Sequence, residues 1–181
     1  MNNSLPAKAK HLTTTTTHRK TVDWEMVYRS QMPRIYNFLR YRLHDEAVAE
    51  DLTAVTFEKA WRHRHSYQPH QAAFNTWLFT IARNTATDYL RRQREDEPLL
   101  ETAVSPTPTP EETISHQQSL AVLHQLVTDL PDREQEILAL KYGAELSNRD
   151  IARQMGLTAV NVGIILYRTL RKLRPLLEKQ P

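Results

Sequence analysis

The sequence has no cysteine among its 181 residues, which excludes disulfides, thiolate zinc sites and thiol nucleophiles. It also has no apolar run near the roughly 20 residues that a membrane span requires. The N-terminus lacks the apolar block of a signal peptide. We therefore expect a soluble, cytoplasmic protein with no direct membrane insertion, whose fold is held together by packing alone.

Glycine is almost as scarce, and the three present, Gly143, Gly156 and Gly163, all fall in the last third of the chain. None of them belongs to a glycine-rich phosphate-binding loop. Gly143 and Gly156 stand where helices are predicted to end. The sequence shows no internal repeat and no strand pattern, so the predicted fold class is all-α.

The charge of the chain is distributed unevenly, although the formal net charge is only +3. Residues 95 to 113 contain acidic side chains but no lysine or arginine, and they include four prolines, which favour an extended linker. Strongly basic segments flank this stretch at residues 77 to 94 and 158 to 179. Because nucleic acids respond to local basic surface rather than to net charge, the pattern predicts two basic domains around an acidic spacer.

Apolar residues at spacings of three and four predict helices in the first basic half. One runs from residue 23 to 43, with Pro33 as a predicted break, and a second from about 45 to 63. Pro69 interrupts the pattern, and a third helix is expected from residue 74 or 77 into a charged run. In the second helix the predicted inward residues are Val48, Leu52, Val55, Ala60 and Trp61, and the predicted outer residues are Glu50, Asp51, Glu58 and Lys59.

The last third of the chain is predicted to form four helices, and Pro131 separates the first of them from the second. Asp132 followed by Gln135 resembles a capping box, and Ser147 followed by Asp150 resembles a second. Each box places a side-chain oxygen where it can accept from a free amide of the first helical turn. The two boxes therefore predict the starts of two helices.

Residues 147 to 173 have the compact spacing of a helix-turn-helix unit, with no spare residues between its parts. They comprise a short capped helix, a turn at Gly156, and a longer basic helix that Thr158 can cap. In such units the N-terminal part of the second helix lies near base edges. The candidate base-reading residues are Thr158, Ala159, Asn161, Gly163 and Ile164, and the candidate phosphate-contacting residues are Arg168, Arg171 and Lys172. A helical hairpin with a merely solvated basic face is the alternative reading of this segment.

Five blocks in this order resemble an extracytoplasmic-function sigma factor of the sigma-70 superfamily, over about residues 22 to 175. They are residues 49 to 61, 77 to 84, 88 to 92, 130 to 138 and 147 to 156. The reading helix departs from the family pattern, because Gly163, Ile164 and Ile165 are apolar where the family is more basic. How this stretch reads DNA is therefore not predicted.

The resemblance implies two small helical domains, sigma region 2 and sigma region 4, joined by a flexible linker. The implied boundaries are a disordered arm at residues 1–21, region 2 at 22–95, an acidic proline-rich linker at 96–115 and region 4 at 116–178. Region 2 would bind core RNA polymerase and the −10 promoter element, and region 4 the −35 element. The resemblance implies no cofactor, no small-molecule substrate and no enzymatic activity.

The resemblance also assigns candidate residues and partners. The polymerase clamp helices and β flap are the expected docking points, promoter DNA is the ligand, and an anti-sigma factor is an expected regulator. The candidate polymerase-binding residues are Asp51, Phe57, Glu58 and Trp61, and those for the −10 region are Tyr67, Arg83, Asn84, Asp88, Arg91 and Arg92. Phe57 and Trp61 either pack or touch the partner, and Tyr67 could stack on a base, whereas Phe74 is expected to pack.

Two other classes of function compete with this one. A stand-alone helix-turn-helix regulator would use the N-terminal domain to sense a ligand or partner. A metallohydrolase would use the histidines at 63, 65 and 70, but the first two are only two residues apart, which fits neither one helix face nor a zinc motif. The sequence therefore favours a DNA-binding protein over an enzyme.

Overall fold

A computed structural model of the chain describes residues 22–70, 73–96, 123 and 125–177. Every regular element within these ranges is helical, which confirms the all-α prediction. No helix in the described ranges is long and apolar enough to cross a membrane. The predicted N-terminal arm, and the predicted linker beyond residue 96, lie outside the described residues.

The N-terminal domain contains three helices, α1 (Trp24–Leu43), α2 (Glu46–Arg62) and α3 (Phe74–Asp96). Asp23 and Asp45 cap the first two, each accepting a backbone N–H three residues on, at 3.1 and 3.0 Å. A 3₁₀ turn (Arg64–Ser66) and a loop lead from α2 to α3. The core of the domain consists of Ile35, Phe38, Leu39, Ala49, Phe57, Ala60, Leu78, Phe79 and Ala82.

The predicted break at Pro33 is wrong, because α1 continues through this residue. Proline removes one backbone hydrogen bond from a helix, and the Pro33 residue itself is exposed. The residues that follow it hold the helix in place, since Ile35 and Phe38 are fully buried. Burial of this face outweighs the local cost of the proline.

Two residues of α2 do not lie where they were expected. Lys59 is half-buried rather than outward, and its Nζ donates to Oγ1 of Thr85 on α3 at 3.1 Å. Trp61 is 51% exposed rather than inward; its ring packs edge-on against Trp24, and the guanidinium of Arg64 lies 4.3 Å from its centroid. Ala60 is fully buried and Leu52 packs against the core, as predicted, whereas Val48 and Val55 are only half-buried; Glu50, Asp51 and Glu58 are exposed, as predicted.

The C-terminal domain contains α4 (Asp132–Leu138), which continues as a π-helical turn (Ala139–Gly143), then α5 (Asn148–Met155) and α6 (Ala159–Leu177). Residues 125–128 are helical as well. The core of this domain consists of Ile137, Leu138, Ala139, Leu140, Leu146, Ile151, Ala152, Val162, Leu166 and Leu173. The order of helices agrees with the prediction of four helical segments.

Of the two residues predicted to begin capping boxes, only Ser147 caps its helix through its side chain. Ser147 Oγ accepts the N–H of Asp150 at 3.2 Å, which confirms that cap. Asp132 makes no cap, because α4 begins at Asp132 itself and Pro131 precedes it. The Gln135 amide instead donates to the carbonyl oxygens of Thr128 and Leu130, at 2.9 and 2.8 Å. Asp132 and Gln135 also both accept hydrogen bonds from Arg42 of α1, so these side chains make tertiary contacts instead of capping the helix.

The two domains pack against each other through α1 and the π-helical turn. Gly143 lies against the α1 backbone so closely that a Cβ atom on it would stand 2.8 Å from the carbonyl oxygen of Asn37. Arg34 of α1 donates from Nε to the carbonyl oxygen of Ala144 at 2.9 Å and from Nη2 to that of Glu145 at 3.4 Å. Gly143 is therefore required by a close backbone approach between domains, in addition to ending a helical segment.

Candidate nucleic-acid interface

The predicted helix-turn-helix forms from α5, the turn at Gly156 and α6. Gly156 adopts a left-handed conformation with φ of 64°, which glycine reaches without strain, and its N–H donates to the carbonyl oxygen of Ala152. Thr158 Oγ1 accepts the N–H of Asn161 at 3.1 Å, so Thr158 caps the first turn of α6. Val162 is fully buried and Leu166 nearly so, as expected for residues that face α5.

The candidate reading residues of α6 lie together on its N-terminal surface. Thr158, Ala159, Asn161 and Ile164 are exposed, and Gly163 is half-buried. Ile164 (42% exposed) belongs to an exposed apolar stripe with Val160 (71%) and Tyr167 (65%), two residues that were not predicted. These positions are separated by four and three residues, so helical spacing alone could have placed them on one face.

The three candidate phosphate-contacting residues follow on the same helix. Arg168 and Arg171 are exposed. Lys172 is exposed as well, and its Nζ lies 3.5 Å from Oε1 of Glu134 on α4. The Lys172 side chain is 60% exposed but Glu134 is only 20% exposed, so Lys172 turns towards a phosphate only by giving up this contact.

The candidate −10 residues on α3 divide into two groups. Asn84, Arg91 and Arg92 are exposed, and half-buried Asp88 lies 3.8 Å from Arg91. Arg83 differs, because its side chain is only 21% exposed and points at the C-terminal domain instead of solvent. Arg83, predicted to contact the −10 region, therefore does not lie on the solvent-facing surface with Arg91 and Arg92.

Arg83 is held by two groups of the C-terminal domain. Its Nε donates to Oε1 of Glu136 at 2.6 Å, and its Nη1 donates to the backbone carbonyl of Gln154. Both side chains of the Arg83–Glu136 pair are mostly buried, at 21% and 16% exposure. Charge-assisted hydrogen bonds gain strength where water is scarce, so this pair is among the stronger polar contacts between the domains.

Arg94, at the end of α3, makes a second ionic contact between the domains. Asp132 accepts from Nη2 of Arg94 at 3.0 Å and from Nη2 of Arg42 at 2.9 Å. Burial alone would raise the pKa of Asp132, but the hydrogen bonds and charges of Arg94 and Arg42 outweigh burial and lower it. Asp132 is therefore a carboxylate held in its ionised form by two arginines.

Tyr67, the candidate base-stacking residue, is half-buried and belongs to an aromatic cluster. Its ring lies 5.2 Å from that of Phe74 and 5.4 Å from that of Trp77. Phe74 also packs edge-on against Trp24 at 5.7 Å, which confirms the packing role expected of Phe74. Tyr67 keeps part of its surface in solvent, beside the loop that leads into α3.

The candidate polymerase-binding residues of α2 are not equally accessible. Asp51 is exposed, and Glu58 is exposed and pairs with Arg62 one turn on at 2.5 Å. Trp61 is half exposed, as described above. Phe57 is only 9% exposed and packs against the ring of Tyr28 at 4.9 Å, so it supports the α2 surface from below.

The histidines considered as metal ligands do not converge with acidic residues. Within the described ranges, no three or more histidine, aspartate or glutamate side chains are grouped as a metal site would require. His63 ends α2 as its C-cap, and both His65 and His70 are exposed. The arrangement gives the metallohydrolase reading no support.

An exposed recognition helix in a helix-turn-helix, together with a second helix that carries arginines and Asn84, defines an all-helical DNA-binding protein with two domains. The sequence matches the family models for sigma-70 region 2 over residues 27–95 and sigma-70 region 4 over residues 120–173. The chain belongs to the extracytoplasmic-function family of RNA polymerase sigma factors.

Relatives and a solved structure agree with this assignment. SigM, an extracytoplasmic-function RNA polymerase sigma factor of Bacillus subtilis (strain 168), is 30% identical over 152 residues, which cover 83% of this chain and 92% of SigM. The RNA polymerase sigma factor YlaC of the same organism is 31% identical over 165 residues, with 87% and 92% covered. The sigma factor RpoE, in its co-crystal structure with the anti-sigma factor NepR from Bartonella quintana, has a similar fold, with a TM-score of 0.66, 22% identity and coverage of 88% and 99%.

Proposed function

We propose that this protein binds core RNA polymerase, directs it to specific promoters and helps to open the −10 region. The observation that carries the proposal is that one chain presents both an exposed recognition helix, α6, and an arginine-bearing helix, α3, within the two matched sigma regions. A regulator that used only the helix-turn-helix would have no need for the second DNA-facing surface. The protein acts by binding and needs no catalytic group, cofactor or nucleotide hydrolysis.

In this proposal α6 enters the major groove of the −35 element. Its N-terminal residues then face base edges, where Asn161 can bond an adenine edge and the exposed Ile164 can contact a thymine methyl group. Arg168, Arg171 and Lys172 neutralise phosphates beside the groove. The apolar stripe beside them fits thymine-rich edges better than guanine, because guanine offers acceptors that need a donor.

The α3 surface serves the −10 element. Arg91 and Arg92 are exposed and contribute positive charge towards the phosphates of the strand that separates, and Asn84 is placed on the same helix to bond a base edge. Tyr67 lies beside the start of α3 with one side in solvent, where a base taken out of the stack can lie against its ring. Strand opening then draws on binding energy alone.

The exposed surface of α2 is the proposed docking site for core polymerase. Asp51 and Glu58 supply negative charge and Trp61 supplies an exposed aromatic face, a combination that suits a basic partner helix. An anti-sigma factor is the proposed regulator, since the structurally similar RpoE of Bartonella quintana was solved with the anti-sigma factor NepR. Such a regulator would act in the cytoplasm, where transcription takes place.

Run-off transcription with purified core polymerase and a library of promoter fragments tests the proposal. We expect specific transcripts only when the protein is added, and an enriched −35 and −10 sequence among the templates used. The stand-alone regulator predicts the opposite result: tight binding to a duplex operator without polymerase, and no new transcript.

Two substitutions in α6 refine the same assay. Arg171→Ala should weaken binding to all sequences alike and lower the slope of log affinity against log salt by about 0.9, because one phosphate contact is lost. Asn161→Ala should instead change which sequence is preferred, with a cost of about 1–3 kcal/mol on the preferred site only. Arg29→Ala, which removes an exposed arginine from α1, is the matched control and should change neither property.

A further inference from the structure

Gly163 lies in the interior of α6, although glycine is a poor helix former. The other two glycines are required by the fold, since Gly156 has a positive φ and Gly143 lies against the backbone of α1. Neither reason applies to Gly163, whose φ is not positive and which no backbone approaches closely among the described residues. The described fold would therefore accept alanine at position 163.

The atom nearest to a Cβ on Gly163, apart from its own helix, would be Nδ2 of Asn148, the first residue of α5. The distance of 3.6 Å is ordinary van der Waals contact. Because Gly163 has no side chain, the space beside the Asn148 amide is open on the surface of α6. This opening, between Gly163 of α6 and the Asn148 amide of α5, is the α5–α6 notch.

The α5–α6 notch borders the reading face of α6. Gly163 is three residues after Val160 and four before Tyr167, so these two exposed residues are its neighbours along the helix. Ile164, the next residue, is exposed as well. The N-terminal part of the second helix of a helix-turn-helix lies in the major groove. A base edge that lies over Gly163 would therefore come next to the amide of Asn148.

The amide of Asn148 has no hydrogen-bond partner within the described part of the chain. Its Oδ1 is buried without a donor, and its Nδ2 donates to no described group. An acceptor buried in this way destabilises the free chain. Because the side chain as a whole is only half-buried, a change of rotamer brings the amide to the surface. Asn148 can thus offer both a donor and an acceptor to a ligand in the α5–α6 notch.

We propose that Asn148 reads an adenine of the −35 element through the opening that Gly163 leaves in α6. An asparagine amide matches the major-groove edge of adenine, because Oδ1 accepts from the N6 amino group while Nδ2 donates to N7. A phosphate would use only the donor and would leave Oδ1 unpaired. The helix α5 thus supplies a polar contact where α6 itself has only Gly163, Ile164 and Ile165. The proposal rests on the proposed function for the identity of the −35 element, whereas the contact with duplex DNA does not require polymerase.

Selection from a duplex library with a randomised −35 region identifies the base that Asn148 reads. The full-length protein is used alone at low salt and, in parallel, bound to core polymerase. We expect the parent to enrich an adenine that Asn148→Ala no longer enriches, with the rest of the consensus unchanged. Asn75→Ala, which removes an exposed asparagine from the start of α3, is the matched control and should reproduce the parent consensus.

Three results of the selection would overturn the proposal. The parent enriches no sequence in either condition, or Asn148→Ala keeps the full consensus of the parent. The third is an equal loss of affinity for all sequences in Asn148→Ala, which indicates a phosphate contact instead of base reading.

The analogue 7-deazaadenine tests the contact at the level of a single atom. It carries a C–H group in place of N7 and so lacks the acceptor proposed for Nδ2 of Asn148. The parent should bind the modified duplex several-fold more weakly than the unmodified one in fluorescence anisotropy, and a G·C pair at the same position should cost about five- to a hundredfold. Asn148→Ala should bind the modified and unmodified duplexes alike. Equal binding of the two by the parent would contradict the proposal.

Gly163→Ala separates base reading from stability. Alanine is the better helix former, so the variant should unfold about 2–4 °C above the parent. Its methyl group occupies the α5–α6 notch, so affinity for the selected duplex should fall several-fold. In the Asn148→Ala background the same substitution should cost no further affinity, because both changes remove one contact. A Gly163→Ala variant that keeps full affinity would show that the opening has no part in reading DNA.

The outcome is separable from that of the proposed function. If the parent gives no run-off transcripts but its adenine preference in the polymerase-free selection is lost in Asn148→Ala, the sigma-factor proposal fails and the Asn148 contact stands. Normal transcription from promoters that the parent and Asn148→Ala select alike would do the reverse.

Discussion

Asp132 contacts Arg42 and Arg94, two arginines that are 52 positions apart in the sequence. Arg42 is buried, and without Asp132 its guanidinium would retain, among the described residues, only Oε1 of Gln135 at 3.1 Å as a hydrogen-bond partner. Losing an anion beside a buried cation costs more than losing an exposed ion pair. Asp132 therefore stabilises the contact between the domains as well as α4.

We expect the contribution of Asp132 to depend on pH in a defined direction. Its pKa is lower in the folded chain than in the unfolded chain, so its contribution is present above about pH 4, the ordinary value for aspartate, and is lost as pH falls through the folded pKa. Asp132→Asn should lower the free energy of unfolding by about 1 kcal/mol at pH 7, because the Asp132 side chain is itself 54% exposed and asparagine keeps an acceptor for Arg42. Urea unfolding between pH 7 and pH 2.5 should show the difference shrinking towards zero in acid.

Asp129→Asn is the control for this experiment, because Asp129 is exposed and contacts only Gln125 among the described residues. It should change stability little at any pH. A difference for Asp132→Asn that stays constant down to pH 2.5 would show that its ionised form is not the stabilising species.

Ser147 caps the N-terminus of α5, so loss of its hydroxyl should destabilise this helix. Ser147→Ala removes the acceptor of the Asp150 N–H and should lower the free energy of unfolding by about 1 kcal/mol. Ser147→Thr keeps the hydroxyl and should lose less than half of that amount. Chemical denaturation followed by helical circular dichroism measures both, and equal losses in the two variants would count against the cap.

At the scale of a helix, α1 carries a local cost, because Pro33 lies in its interior. Pro33→Ala restores a hydrogen-bond donor and a good helix former at an exposed position, so it should raise the free energy of unfolding by about 1–3 kcal/mol. Pro33→Gly should gain about 1 kcal/mol less, because glycine is the poorer helix former. Thermal unfolding gives both values, and no gain with alanine would mean that α1 is adapted to the proline.

Helices, their order and the helix-turn-helix could be predicted from the sequence because their signals are local. Ser147, Gly156 and Thr158 act on residues three or four positions away, and each performs its predicted role. Asp132 and Arg83 could not be predicted in the same way. Their partners are 90 and 53 positions distant, so only tertiary packing brings them together.

The candidate DNA-binding surface on α6 was predictable because it also depends on local helical spacing. Its exposed positions follow from the buried Val162 and Leu166, which fix the orientation of the helix. The accessibility of α2 residues was predicted less well. Trp61 packs against Trp24 of α1 and Lys59 bonds to Thr85 of α3, and the periodicity of α2 alone contains no information about these neighbours. Which of these surfaces bind polymerase and DNA remains a prediction that the experiments above test.

For the whole molecule, the linker between the domains should matter more for promoter use than for polymerase binding. Deletion of residues 104 to 109, which include two of the four prolines, shortens the reach between α3 and the C-terminal domain. We expect several-fold weaker run-off transcription and nearly unchanged affinity for core polymerase, measured by fluorescence anisotropy. An equal loss of both activities would contradict a spacer role, and replacement of the six residues by Gly-Ser repeats is the control for length.

The π-helical turn Ala139–Gly143 makes the contact between the two domains depend on helical register. A π turn holds one residue more than an α turn, so deletion of one residue there would return the helix to α geometry and swing Gly143 about 100° away from α1. The close contact between Gly143 and Asn37 would then be lost, although the residues of the Arg83–Glu136 and Arg94–Asp132 pairs would remain in the chain. A single lost codon would thus remove the contact between Gly143 and α1 while leaving the sequences of α3 and α6 unchanged.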